Sequence, residues 1–156
     1  MGDGPGSIEP EGLFEGLSGR AIAYGVVLDI VLTILLSIPL VILFGGPEMF
    51  SEDADIARAA EARAYASDLF NLASLLLGVA CTIVGAFVGA RRAGRSFVRH
   101  GGWIGVGSLV LGVLMLALLP EGPGQPLWIE VLGLVLVVPA GALGGQLAAA
   151  LARSGT

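Results

Sequence analysis

Apolar positions along this chain fall into four long, nearly uninterrupted runs, at about residues 21–44, 69–90, 101–119 and 127–151. None shows the strict alternation of a half-buried strand, and each holds the roughly 20 apolar residues a helix needs to cross a bilayer. The pattern predicts four spanning helices. Pro39 and Pro139 lie inside two of the runs. Membrane helices tolerate proline where neighbouring groups satisfy the freed carbonyl, so neither is read as a break.

The polar stretches between the runs differ in kind. Residues 1–19 are rich in glycine and acid and are expected to form a mobile tail, with one interfacial turn or short helix through Ile8, Leu13, Phe14 and Leu17 as the alternative. Residues 45–47 end the first run. Ser51 is placed to cap a helix through the alanine-rich stretch 54–66, which is expected to continue into the second run as one long projecting helix. Residues 120–126 suffice only for a tight turn. The expected fold is all-α: an integral membrane bundle of four antiparallel transmembrane helices over residues 20–153, with a short helix in the first outer link.

Composition strengthens this class. The chain is 55% hydrophobic and 13% charged, against about 25% charged residues in soluble domains. Its mean hydropathy is +0.88. Net charge is −5 and all eight basic residues are arginine, so nothing suggests a nucleic-acid partner. The first run is too long, and its approach too acidic, for a cleaved signal peptide.

Arginine placement gives an orientation. Arg20, Arg91, Arg92, Arg95, Arg99 and Arg153 share one side of a four-span bundle, and only Arg58 and Arg63 lie on the other. The outer links carry Glu48, Glu52, Asp53, Asp55, Glu61, Asp68, Glu121 and Glu130. The positive-inside rule places both termini in the cytoplasm. Arg91, Arg92, Arg95 and Arg99 are also expected to meet anionic lipid headgroups, each contributing about 1 kcal/mol. Trp103 and Trp128 stand at opposite faces as interfacial anchors.

The 25 glycines are patterned. Gly78, Thr82, Gly85 and Gly89 step by four, three and four, as do Gly101, Gly105, Ser108 and Gly112. Gly141 and Gly145 form a further pair at spacing four, preceded by Gly133 and Val137. Such stripes keep small residues on one helix face. Lipid supplies no hydrophobic drive for helix association, so close backbone contact has to hold the helices together. The second, third and fourth spans are expected to meet along these seams.

Asp29 is the one acid deep within a span. Insertion scales put a central aspartate at about 3 kcal/mol, so partners are expected. Thr33 lies beside it on the same helix, and counting from the span ends brings Thr82 and Ser108 to its depth. The favoured reading is a polar clasp that fixes helix register. The alternative is a proton or cation site in a transporter or channel.

Other chemistry is sparse. Cys81 is a lone thiol in an apolar span and reads as a packing residue. His100 is the only histidine, and no cluster has metal-ligand spacing. No nucleophile turn or dinucleotide fingerprint occurs. No cofactor, metal or enzymatic activity is expected.

Several motifs carry a resemblance: Leu28-Asp29 followed by Thr33; Gly85-Ala86-Phe87-Val88-Gly89-Ala90-Arg91; Pro126-Leu127-Trp128; and Pro139-Ala140-Gly141-Ala142-Leu143-Gly144-Gly145. Together, over about residues 20–150, the chain resembles small glycine-rich bacterial inner-membrane proteins with four spans. It departs from their pattern at Leu32, Ala86 and Gly89. The resemblance implies the topology, the bacterial inner membrane and an interest in Asp29, but no substrate. The expected function is a non-enzymatic membrane protein that packs as a homo-oligomer or within a larger membrane complex. The alternative is a small proton- or cation-linked transporter using Asp29.

Overall fold

The computed structural model describes residues 16–118 and 125–154. Its elements are α1 (Gly19–Gly45), a 3₁₀ turn (Pro47–Phe50), α2 (Ala54–Tyr65), α3 (Asp68–Ala93), α4 (Phe97–Leu118) and α5 (Leu127–Ser154). There is no strand among the described residues. α1, α3, α4 and α5 are each long and apolar enough to cross a membrane. The fold is thus the expected all-α bundle of four spans. α4 starts four residues before the expected span, and α1 and α5 run unbroken through Pro39 and Pro139. The expected mobile tail, up to residue 15, and residues 119–124 of the expected tight turn lie outside the described residues.

Local chemistry sets the element ends. Ser18 caps α1, its side chain accepting from the N–H of Ala21 at 3.4 Å. Gly46 ends α1 at φ +79°, and Gly94 ends α3 at φ +71°. Gly94 sits in the left-handed region that glycine enters without steric penalty, which lets α3 turn into α4 through residues 94–96 alone.

The first link departs from expectation twice. Asp53, not Ser51, caps α2, accepting from the N–H of Asp55 at 2.9 Å. Ser51 instead accepts from the N–H of Asp53 at 3.2 Å. Nor do α2 and α3 form one long projecting helix. Ser67 caps α3 through the N–H of Phe70 at 3.3 Å, and Asn71 Nδ2 donates to the carbonyl of Tyr65 at 2.9 Å. Two side chains thereby satisfy backbone groups that a continuous helix would have paired internally. The break folds α2 back: Ala60 and Ala64 are buried, and Phe70 meets Phe44 and Tyr65 edge-on at 5.5 and 5.4 Å.

The arginine-rich end of the bundle gathers the start of α1, the α3–α4 link and the end of α5. Between this end and Asp29 the helices pack backbone to backbone. A Cβ on Gly85 would stand 2.7 Å from the carbonyl oxygen of Gly25, and one on Gly89 2.9 Å from that of Ala21. A Cβ on Gly105 would stand 2.8 Å from the carbonyl oxygen of Val137, and one on Gly101 2.7 Å from the nitrogen of Gly145. Gly141 returns the contact onto Gly105, and Gly144 meets Ile83, Ala86 and Phe87 of α3. Ile104 fills the centre beside Val26 and Ala86.

The third and fourth spans meet along the expected glycine seam, whereas the stripe of the second span meets the first. Gly85 and Gly89 of α3 face α1, Gly101 and Gly105 of α4 face α5, and α5 reaches α3 through Gly144. Gly78 and Gly112, placed in the stripes by spacing alone, have nothing within 4 Å of an added Cβ.

Candidate functional site

Asp29 lies ten residues into α1, about 15 Å along the helix. It is 5% exposed. Ser108 Oγ of α4 donates to its Oδ2 at 2.6 Å. Thr82 Oγ1 of α3 lies 3.1 Å from Oδ2 and 3.3 Å from Oδ1. Thr33, one turn further along α1, lines the same cavity as Asp29. Asp29, Thr33, Thr82 and Ser108 are thus brought together. Close approach at Gly25 and Gly85 is what lets side chains this short span three helices.

Thr82 has a second acceptor. Its Oγ1 lies 3.1 Å from the carbonyl oxygen of Gly78, one turn back on α3. A hydroxyl has one proton to give. When Thr82 donates to Asp29, the carboxylate has two hydroxyl donors, Thr82 and Ser108. When Thr82 donates to Gly78, its lone pair faces Asp29 and accepts from a protonated carboxyl. One arrangement of heavy atoms accommodates both states of the acid, and a hydroxyl rotation switches between them.

Asp29 also closes a cavity. On its side towards the acidic end, the four long helices separate around about 620 Å³. The walls are apolar, with Ile30, Ile34, Leu75, Leu111, Met115 and Leu134 among them. Asp29, Thr33, Thr82 and Ser108 lie at the deep end, Ser74 further out, Gln125 just before α5 and Glu130 in its first turn. Gly78, Gly112 and Gly133 line this space, and their missing side chains help to make it. Among the described residues two acids line the cavity and no arginine or histidine does. The half of the bundle below Asp29 is glycine-packed; the half above it is open.

Neither His100 nor the lining residues Ser74, Gln125 and Glu130 stood out in sequence as site groups. His100 is fully buried, and its Nε2 accepts from the backbone N–H of Ser18 at 2.9 Å. Its Nδ1 lies 3.1 Å from the carbonyl oxygen of Ser96, to which it donates in the tautomer that leaves Nε2 free to accept. The ring ties the first turn of α1 to α4. For Glu130 a signal was present: it lies near the start of the fourth run, where an inward side chain meets the outer half of the bundle.

Arg20, Arg91, Arg92, Arg95, Arg99 and Arg153 lie at the opposite end from the cavity, and Arg58 and Arg63 are on α2. Arg91 stands over the Phe87 ring at 5.7 Å, and Arg92 over Tyr24 at 4.6 Å. Cys81 is buried next to Thr82 in sequence. Outside the spans, burial, with Glu61 as the lesser cause, holds the Tyr65 phenol above its ordinary range. Among the described residues no group of three or more metal-ligating side chains occurs.

The fold and site define a multi-pass helical membrane protein with a buried acid at the end of an apolar cavity. Comparison with family models, curated proteins and solved structures finds no match.

Proposed function

We propose that the protein is a small membrane transporter in which Asp29 takes up a proton or cation from the acidic end. The observation that carries this reading is the cavity that ends on Asp29. A residue serving only to clasp helices needs no space leading to it. The two hydrogen-bonding arrangements of Thr82 support it further, because the acid gains or loses a proton without moving its neighbours. Open above the site and packed below it, the bundle has the form of one access state of a carrier.

The positive-inside rule puts the arginine end in the cytoplasm and the cavity mouth outside. We read the membrane as the bacterial inner membrane and the arginines as contacts for anionic headgroups. A second reading has its own support. Asp29 has donors on α3 and α4, so it also serves as a clasp in a non-enzymatic protein that packs with itself or a larger assembly.

Proton flux into liposomes, measured with thermal stability for wild type, Asp29→Asn and Asp29→Leu, separates the two. Flux that disappears in a stably folded Asp29→Asn protein is the expected result. No flux in any protein, with only Asp29→Leu unstable, would leave the clasp as the function.

A further inference from the structure

We infer that the cavity takes a lipophilic organic cation, with the charged group on Asp29 and an apolar body against the walls. The inference rests on the Asp29 reading above and adds the class of cargo. Size comes first: about 620 Å³ lies within the 300–1,000 Å³ range of small-molecule sites. Among the described residues two acids and no base line the space, which makes it unfavourable for an anion.

The distribution of polarity then selects among cations. An inorganic ion needs a shell of oxygen ligands. Here oxygen atoms gather at the deep end around a single carboxyl, two of whose hydroxyl neighbours already donate to it. Ile30, Ile34, Leu75, Leu111, Met115 and Leu134 have nothing to offer a hydrated ion. A cation carried on an apolar body uses both parts: its charge meets Asp29, and its body removes the walls from contact with water. A lipid chain would cover the walls but leave the carboxyl without a charged partner.

Charge balance defines the exchange. A monovalent cation that enters when Asp29 is protonated displaces that proton to solvent, and the cation and carboxylate together are neutral. A returning proton releases the cargo. Glu130, nearer the mouth, attracts the same charge without forming the final pair.

The test uses two probes of matched shape and opposite charge, tetraphenylphosphonium and tetraphenylborate, titrated calorimetrically into the full-length protein in mild detergent. The phosphonium is expected to bind saturably and to release protons, and the borate is not expected to bind. Asp29→Asn and Gly112→Leu should each weaken phosphonium binding by about tenfold or more, the first by removing the charge and the second by filling the cavity. Retained melting of both variants establishes that they fold. Equal binding of both probes, unchanged in Asp29→Asn, would overturn the proposal, because the cavity would then be only an apolar slot. Absence of phosphonium binding alongside Asp29-dependent flux of protons or sodium would overturn the cargo and leave the Asp29 site standing. Absence of both binding and flux would remove both readings.

Discussion

Asp29 and His100 are both buried polar residues, yet only one of them was conspicuous in sequence. An acid inside an apolar run needs partners, and antiparallel counting brought Thr82 to its depth. His100 sits at the edge of a run, among arginines, where a solvated position is the ordinary expectation. Its contact with Ser18 spans 82 positions, and no local pattern announces it. Replacing His100 with Phe should therefore matter more than its place in the sequence suggests. The Ser18 N–H would lose its acceptor in a partly buried setting, whereas the Ser96 carbonyl would keep the backbone N–H of residue 100. The expected loss is about 1–3 kcal/mol in denaturant melting of the purified protein. Melting like that of wild type would mean the bond contributes nothing to holding α1 against α4.

At the level of helices, the apolar runs located every span, because hydrocarbon demands one uninterrupted length of helix. The break between α2 and α3 was not legible. Alanine propensity argues for continuity, and Ser67 and Asn71 override it only because the aromatic cluster of Phe44, Tyr65 and Phe70 makes the bend worth keeping. Glycine spacing likewise showed which residues share a face but not what that face meets. The same stripe holds Gly85, against the backbone of α1, and Gly78, against open space. Leucine substitution distinguishes them. Gly85→Leu and Gly105→Leu must push two backbones apart, and overpacking of this sort costs about 1–3 kcal/mol or more. Gly78→Leu and Gly112→Leu should melt near wild type, since the side chain enters the cavity. If all four variants melt alike, the division of the bundle into a packed half and an open half is wrong.

For the molecule as a whole, charge and packing divide along the same axis. The glycine-packed half lies towards the arginine end, and the cavity faces the end bearing α2 and most of the acids. A sequence carries the charge half of this asymmetry in plain view, since arginines and acids need only be assigned to alternate links. The packing half is hidden, because it depends on which glycines face one another across different helices. If the positive-inside rule holds here, the cavity opens away from the cytoplasm, and a cation arriving from outside meets Glu130 before Asp29. Cysteine labelling of intact cells tests this directly. Cys81 is buried, and a Cys81→Ala background removes it from the measurement. Ser96 and Asp55 are both exposed, at opposite ends of the bundle. In that background an impermeant thiol reagent should modify Asp55→Cys and leave Ser96→Cys unmodified until the cells are opened. The reverse pattern would turn the bundle over: the arginine end would face outward, and the cavity would draw its cation from the cytoplasm.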